Sequence, residues 1–470
     1  MITHRKLSSL GLAALLLAGS AQAGADPFDV DRSIPPPLTA TPGPEATALP
    51  CPAGPPQGPV TLLVAVNSAL CQHPQTREQW ANARAQAAQV GVAQAAWLPG
   101  LNGTVGASRI RSGTTDDRYN QRSLGLTANW LLYDFGARDA ALENARQLLH
   151  AANATRDATV QSLFLAAAQS YFQAQATRSA VTAATLAEKA AAESLKAAET
   201  RYAVGTATPA DRLQARTALA QARLARIQAE GNARNAVGVL ANAMGLDAHF
   251  PLRLAEDAVA PPPRDFEADL NQLIAEARAR RPDLMAAQAQ HRAAQAAADN
   301  ARASGRPSLS LGAAGSRQWA GGDASTSANI GLTLSVPLFT GYATAYRVRA
   351  AEAQADSRAA AAERIGQQVA LDVWRAYQSL LTAGQSVRTS EELLASATQS
   401  EQVAAGRYQA GVGNILDLLN AQTALANARQ QRIQALFDWQ SARATLAQAL
   451  GQLDFDTIKG DPASAQPAAR

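Results

Sequence analysis

The 470-residue chain has few aromatic residues and only two cysteines. Phenylalanine, tryptophan and tyrosine account for 5% of the residues, whereas hydrophobic residues account for 47%, and alanine supplies much of this apolar content. Alanine suits long, closely packed helices better than it fills a thick globular core. The composition therefore favours extended helical packing.

Motifs for catalysis, nucleotide binding and metal binding are missing from the sequence. No P-loop, G-x-S-x-G, H-E-x-x-H or dinucleotide-binding glycine motif occurs. The five histidines are scattered, without a pair at metal-ligand spacing, and no carboxylates form an isolated acid/base pair within an apolar pocket motif. We therefore expect no enzymatic activity, no cofactor and no metal site.

The N-terminus has the features of a secretory signal. A basic start, His4 to Lys6, precedes a short apolar run, Leu10 to Leu17, and an A-x-A cleavage site, Ala21 to Ala23. Gly24 follows this site, where a bacterial lipoprotein would carry a cysteine, so lipidation is disfavoured. We expect residues 1–23 to be removed during export.

Neither sign of charge dominates the exported chain. The formal net charge of +4 falls to +2 without the signal, leaving 40 basic against 38 acidic residues. This balance gives no support for nucleic-acid binding. No run of 18 apolar residues follows the signal, so we expect no transmembrane helix, and the chain could span a membrane only as a β-barrel.

Cys51 and Cys71 both lie in the N-terminal part of the exported chain. Export implies an oxidising compartment, so a disulfide and two free thiols are both open alternatives. A zinc site would need more ligands than these two cysteines and a distant His73 provide.

A long internal duplication organises the rest of the chain. The phrase RYAVGTATPADRL at 201–213 returns as RYQAGVGNILDLL at 407–419, and 12 of 23 positions are identical between 201–223 and 407–429. A repeat of this length implies a duplicated domain rather than a solenoid unit. The predicted organisation is a signal peptide (1–23), a Pro-rich N-terminal segment (24–69), a first repeat (70–245), an equatorial or linker segment (246–281), a second repeat (282–452) and a flexible C-terminal tail (453–470).

Each repeat reads as a helix, two strands, a long helix, a turn and a further helix. Residues 137–204 contain neither glycine nor proline, which predicts a helix about 100 Å long at about 1.5 Å per residue. Leu124, Leu126 and Ala128 alternate with small polar residues in the strand region. Strands that are apolar on one face and polar on the other are typical of transmembrane β-strands, although one face of a soluble sheet is the alternative.

Four strands cannot close a barrel by themselves, and open strand edges do not persist in lipid. The chain must therefore oligomerise if it spans a membrane, with eight strands in a dimer or twelve in a trimer. We expect an aromatic cluster at the helix end of the strands to mark the membrane interface: Trp130, Tyr133, Phe135 and Phe339.

Together these features resemble the TolC family of outer-membrane export tunnels. The resemblance covers residues 70–451 and rests on the duplication, the paired strands, the long helices and two R-Y-x-x-G-x-x-x-x-x-D phrases. It implies a mainly α chain with a transmembrane β-barrel, in the outer membrane of a Gram-negative bacterium. In a homotrimer, four strands per protomer would form a 12-stranded barrel that continues as a long α-helical barrel through the periplasm.

The resemblance also assigns roles at the two repeated phrases, as helix-hairpin tips that form the periplasmic entrance. Gly205 and Gly411 are expected to be the tip glycines, and Arg201 and Arg407 to contact a periplasmic adaptor protein. A purely local explanation exists as well, because glycine and basic residues are both favourable at helix C-termini.

The gate itself departs from the family pattern. Asp211 and Asp417 are expected to form a carboxylate ring, and Tyr408 matches a tyrosine that helps to hold the closed gate. An arginine of the family is replaced by Gly413, and a second entrance aspartate is replaced by Asn420. The closed-state contacts must therefore differ. Both aspartates also fall at the third helical position, where capping alone would explain them.

More narrowly, the sequence resembles the type I secretion branch that exports RTX toxins, including the outer-membrane component for an adenylate cyclase–haemolysin toxin. This implies an inner-membrane ABC transporter, an adaptor, an exported protein cargo and outer-membrane lipid as partners. Two alternatives remain open: a duct for multidrug or metal efflux, and a periplasmic coiled-coil adaptor or scaffold.

Overall fold

The structure, a computed structural model, describes residues 26–35, 51, 54–111, 118–255 and 269–453. Several predicted features lie outside these residues: the signal peptide, parts of the Pro-rich segment (24–25, 36–50 and 52–53), residues 112–117 of the first repeat, the proline-rich part of the linker (256–268) and the C-terminal tail from residue 454.

Two halves of the chain repeat the same elements. The first half contains β1 (Pro59–Val60), α1 (Leu62–Gln72), α2 (Pro74–Ala95), β2 (Gly100–Arg111), β3 (Arg118–Tyr133), α3 (Ala137–Ala203) and α4 (Pro209–Ala243). The second half contains β4 (Arg253–Leu254), α5 (Leu270–Arg280), α6 (Pro282–Ala303), β5 (Ser308–Ala320), β6 (Asp323–Ser335), α7 (Ala343–Gln409) and α8 (Ile415–Ala449).

Equal helix lengths confirm the predicted duplication. The long helices α3 and α7 both have 67 residues, and the helices that follow them both have 35. Helices α2 and α6 both have 22 residues, and each begins at a proline, a residue whose fixed φ and missing N–H suit the first helical position. The short helices α1 and α5, and the parallel pair β1–β4, were not predicted.

The strands form one four-stranded antiparallel sheet in the order β2-β3-β5-β6. Residues that pair directly across neighbouring strands point to the same face of a sheet. Leu101, Ala128, Ala313 and Ile330 pair in succession across all four strands, so the predicted apolar residues share one face. This face is open within one chain, where Ile330 is 75% exposed.

Small polar residues occupy the opposite face of the sheet. The pairs in register there include Asn102 with Thr127 and Ser316 with Ser327, whose hydroxyl groups lie 2.9 Å apart. Thr127 also donates its hydroxyl to the carbonyl of Asn102 at 3.5 Å. The predicted alternation of the strands is therefore confirmed in its register.

The turn between β5 and β6 is short, although the sequence at 319–326 is rich in glycine and polar residues. Strand β5 continues to Ala320 and β6 begins at Asp323, so only Gly321 and Gly322 form the turn. Both glycines have positive φ, 59° and 105°. Two consecutive residues with positive φ give the tight turn whose twist matches that of the flanking strands, and glycine adopts it without steric cost.

The chain divides into two compact units, each of which takes segments from both halves. Of the described residues, the first unit comprises 26–35, 81–111, 118–153 and 288–360, and it contains the sheet. At the start of α3 in this unit, the buried Arg138 guanidinium donates to the Asp134 carboxylate (3.1 Å) and to the carbonyls of Leu131 (2.6 Å) and Leu132 (3.1 Å). These contacts fix the end of β3 onto the beginning of the long helix.

Of the described residues, the second unit comprises 51, 54–80, 154–255, 269–287 and 361–453. One of its hydrophobic clusters includes Leu70, Phe164 and Leu240, and another includes Val373 and Trp439. In this unit the structure joins Cys51 to Cys71 through their sulfur atoms, with Cα atoms 5.6 Å apart. The bond connects α1 to the segment that precedes β1.

Candidate functional site

The α3–α4 and α7–α8 turns share the conformation of their glycine and the hydrogen bonds that close the turn. Gly205 and Gly411 have φ of 79° and 80°, in the left-handed region that glycine adopts most easily. The amide of Thr206 donates to the carbonyl of Arg201 (2.9 Å), and that of Val412 donates to the carbonyl of Arg407 (3.1 Å). Both turns therefore end their long helix in a Schellman motif, which agrees with the conformation predicted for the two glycines.

The helices that follow the turns begin in different ways. Thr208 and Asp211 form a reciprocal capping box, in which the Asp211 amide donates to the Thr208 hydroxyl (3.2 Å) and the Thr208 amide donates to the Asp211 carboxylate (2.9 Å). In the second turn, Asn414 caps α8 by accepting from the amide of Leu416 (3.1 Å), and Asp417 is exposed. Asp211 therefore has a local structural role in its box, whereas the described contacts of Asp417 include no such box.

Arg201 connects the two turns. Its guanidinium group lies over the ring of Tyr408, with the central carbon 4.2 Å from the ring centroid. The same group donates hydrogen bonds to the carbonyl of Tyr408 and, at 3.3 Å, to that of Gln409. A cation at these carbonyls also meets the negative end of the α7 helix dipole. Its counterpart in the second repeat, Arg407, is exposed.

Tyr408 is the buried residue of this connection. It is 5% exposed and packs in a small cluster with Ile415 and Leu418. Among the described residues, its hydroxyl has no hydrogen-bond partner. Burial raises the pKa of Tyr408, while the charge of Arg201 opposes this shift and that of Asp211 adds to it. Within one chain, therefore, the ring and the backbone carbonyl of Tyr408 hold the arginine, and the hydroxyl does not.

The equivalent tyrosine of the first repeat has a different environment. Tyr202 is 38% exposed, and the guanidinium group of Arg212 lies 4.6 Å from its ring centroid. At the position corresponding to Arg212, the second repeat has the buried Leu418. The second turn thus packs a leucine against its buried tyrosine, while the first turn places an arginine over a tyrosine that stays at the surface.

The second turn leaves no room for a side chain at Gly413. A Cβ atom at this position would lie 2.9 Å from the amide nitrogen of Tyr408 and 3.0 Å from the carbonyl carbon of Arg407. Real Cβ atoms do not approach backbone so closely, so the backbone would have to move. The arginine that the family resemblance leads one to expect here does not fit this conformation of the turn.

A groove of about 700 Å³ runs along α7 and α8 beside the second turn. It brings together four of the residues that the sequence indicated, namely Arg407, Gly413, Asp417 and Asn420. Its remaining wall is formed by Ser396, Gln399, Ser400, Val403, Ala404, Ala421 and Ala424. The groove thus combines one cation and one carboxylate with small and neutral side chains.

The aromatic residues predicted at the membrane interface are grouped at the helix end of the sheet. Tyr133 and Phe135 meet edge to face with ring centroids 4.8 Å apart, and Phe339 meets Tyr342 in the same way at 5.7 Å. Trp130 donates its indole N–H to the carbonyl of Trp97 at 2.9 Å.

Sequence reasoning missed two members of this aromatic group. Trp97 lies under the guanidinium group of Arg138, 4.2 Å from the ring centroid, and is 39% exposed. Tyr342 is also exposed and has a positive φ of 65°. Both residues flank the strands outside the alternating pattern, and their distance from the strand ends along the sequence was the only available signal.

Two other kinds of feature are absent from the described ranges. None of the helices described has a stretch long and apolar enough to cross a membrane. Histidine, cysteine, aspartate and glutamate side chains in the same part of the chain form no group of three or more that could hold a metal ion.

Comparison with known proteins places these features in context. The profile of the family described as "Outer membrane efflux protein" matches twice, at residues 65–246 and 273–452. Protein CyaE of Bordetella pertussis is 33% identical over 429 residues, which cover 89% of this chain and 90% of that protein.

A second relative and a solved structure extend the comparison. The pyoverdine export outer membrane protein OpmQ of Pseudomonas aeruginosa is 30% identical over 386 residues, covering 78% of this chain and 80% of that protein. The crystal structure of the Campylobacter jejuni CmeC outer membrane channel superposes with a TM-score of 0.76 at 19% identity, covering 85% of this chain and 88% of that one. At 19% identity, the similarity to CmeC shows a shared fold alone.

Proposed function

Because this chain belongs to the outer membrane efflux protein family, we propose that three copies of it form a passive export duct in the outer membrane. The observation that carries this proposal is the sheet, whose apolar face is exposed along its length while its other face carries small polar groups. Such a face suits lipid on the outside and a watery lumen on the inside.

The edges of the sheet support an assembly. Strands β2 and β6 each have a neighbour on one side only within the described sheet. Unpaired strand edges are too costly to leave in hydrocarbon. Three sheets that pair edge to edge would give twelve strands and no free edge, and the long helices would continue that cylinder.

The two turns are proposed as the periplasmic entrance of the duct. The guanidinium group of Arg201 donates hydrogen bonds to carbonyls of the second turn, whereas Arg407 is exposed beside the groove. Arg407, with the two tip glycines Gly205 and Gly411, is therefore the better candidate for contact with an adaptor protein. Asp211 and Asp417 would surround the mouth with six carboxylates in a trimer, which raises the local negative potential.

We propose a protein toxin as the cargo, delivered by an inner-membrane ABC transporter and an adaptor in a type I secretion system. Support comes from the resemblance of the sequence to that branch of the family and from its identity with CyaE, which exceeds that with OpmQ. A second candidate, efflux of a small molecule, is favoured by the name of OpmQ, a pyoverdine export protein. A periplasmic scaffold has no need of the alternating strands.

Fractionation and export assays in the same cells test these proposals separately. We expect the chain in outer-membrane fractions as a trimer that dissociates on heating, whereas a soluble periplasmic protein would refute the duct. Cells that lack the chain but keep the transporter and adaptor should retain the toxin. If they secrete the toxin normally but accumulate a siderophore or drug, the duct remains and the cargo assignment fails.

The Cys51–Cys71 pair is proposed to be oxidised in the exported protein. The bond closes a segment with a sequence separation of 20, and the chain-entropy relation gives about 3 kcal/mol of stabilisation for a loop of that size. Alkylation with and without prior reduction tests this by mass spectrometry. Equal masses in the two samples would show that the thiols are not bonded.

A further inference from the structure

The far end of the sheet, away from the helices, carries arginines on its apolar face. Arg109 lies on β2, Arg122 on β3 and Arg317 on β5. Arg122 pairs directly with Trp319, and Arg317 pairs directly with Leu124. Since paired residues share a face, these arginines point to the same side as the apolar residues.

A side-chain contact supports this placement independently. The guanidinium group of Arg317 lies 5.2 Å from the ring centroid of Trp319, two residues further along the same strand. Residues two apart on a strand lie on one face. Arg109, Arg122 and Arg317 are all exposed, so they form an open row that we call the arginine row.

The arginine row lacks a counter-charge within the described part of the chain. None of the ion pairs found there involves Arg109, Arg122 or Arg317. The nearby carboxylate of the described strands, Asp323, pairs in register with Ala320 and so belongs to the polar face. Each arginine is a diagonal neighbour of the next, at about 7–8 Å, and such like charges repel one another unless an anion lies between them.

The row also ends the apolar band at a membrane-like distance. On β3, Trp130 stands at the near end of the band and Arg122 at the far end. They are eight positions apart in the sequence, which corresponds to about 26 Å along a strand. Because outer-membrane strands tilt by about 35–45°, this stretch would span about 20 Å of membrane depth, which is most of the apolar band of about 25 Å. A ligand at the row would therefore touch apolar surface on one side and three cations on the other.

We propose that the arginine row binds the phosphate groups of anionic glycolipids, of the lipid A type, in the outer leaflet of the membrane. The proposal rests on the proposed function, because the outer-membrane location sets which leaflet the far end meets. Guanidinium groups bind phosphate oxygens through two parallel hydrogen bonds. The acyl chains of the same molecule would lie along Leu124 and Val105, which pair with each other on the apolar face.

Lipid binding to the full-length protein, purified in detergent, tests the proposal by native mass spectrometry. The probes are bis-phosphoryl lipid A, monophosphoryl lipid A, phosphatidylcholine and inorganic phosphate. We expect the order of affinity to follow the phosphate count among the lipids. The triple variant R109Q/R122Q/R317Q should bind bis-phosphoryl lipid A about a hundredfold more weakly, since each basic residue near a membrane surface contributes about fivefold.

A charge-matched control separates local binding from net charge. The variant R364Q/R375Q/R388Q removes three exposed arginines from α7 and should leave lipid A binding unchanged. Unchanged binding in the arginine-row variant, or an equal loss in both variants, would overturn the proposal. Inorganic phosphate that displaces lipid A at equal concentration would also overturn it, in favour of a simple anion site.

Two further measurements keep the test interpretable. The single variant R122Q should weaken lipid A binding more than R122K, which keeps the charge. Both variants should keep the heat-sensitive trimer, which excludes misfolding as the cause. Fractionation answers separately whether the chain reaches the outer membrane. If it does and the lipids show no preference, the arginine row fails while the duct stands.

Discussion

Replacement of Arg201 by glutamine should loosen the second turn, although Arg201 belongs to the first. The guanidinium group lies over the ring of Tyr408 and donates to two carbonyls at the end of α7. A cation–π contact contributes about 0.5–2 kcal/mol, and a hydrogen bond from a charged donor about 1.5–3 kcal/mol. Because the arginine is partly exposed, we expect a total of about 2–3 kcal/mol rather than the full sum.

Hydrogen exchange measures this loss directly. The amides of Gly411 and Val412 donate to the carbonyls of Tyr408 and Arg407, so their protection reports on the closed turn. A loss of about 2–3 kcal/mol corresponds to exchange that is about 30- to 150-fold faster. The R201K variant should lie between, since lysine keeps the charge but cannot present the planar fork.

The pseudo-symmetric variant R407Q is the matched control. Arg407 occupies the same position in the repeated phrase but is exposed, and no ion pair or ring contact is found for it among the described residues. Exchange should therefore change little in R407Q. If both variants accelerate exchange equally, or neither does, the connection between the turns is not what protects them. In lipid bilayers, R201Q channels should spend more time open than R407Q channels.

Three other predictions concern the same region. Tyr408→Phe should leave the turn as stable or stabilise it, since the buried hydroxyl has no partner in the described residues. Because the pKa of Tyr408 is raised in the folded protein, the free energy of unfolding of the wild type should fall as pH rises above about 10. Unfolding of the phenylalanine variant, followed by circular dichroism, should lack that loss. Gly413→Ala should destabilise the second turn by about 1–3 kcal/mol, because the added Cβ atom would clash with the backbone. The first turn has Ala207 at the corresponding position and so accommodates a Cβ atom there. Equal hydrogen exchange in the wild type and the variant would contradict the predicted clash. Asp417→Asn should weaken the block of the channel by multivalent cations and lose only the favourable charge at the helix N-terminus, about 0.3–1 kcal/mol. Asp211→Asn should weaken the block and cost about 1 kcal/mol more, because it also makes the charge-assisted hydrogen bond of the capping box neutral. Bilayer recordings and thermal unfolding distinguish the two variants, and an unchanged block in both would count against the carboxylate ring.

Much of this molecule follows from local patterns in the sequence. The absence of glycine and proline between 137 and 204 predicted α3, because nothing there interrupts a helix. The alternation around Leu124 and Leu126 predicted a strand with one apolar face. The two turn glycines were predictable because few other residues adopt positive φ at the end of a helix.

Only the tertiary structure determines which residues far apart in the chain are in contact. Arg201 and Arg407 are identical in the repeated phrase, yet only Arg201 lies over a buried tyrosine, because Leu418 packs beside Tyr408 where the first repeat has Arg212. A periodic pattern gives the face of each strand but not which residues are neighbours, since register is set by pairing over long range. The shared residues of the two phrases thus give the same glycine conformation in both turns, while the partners of each side chain depend on which elements pack together.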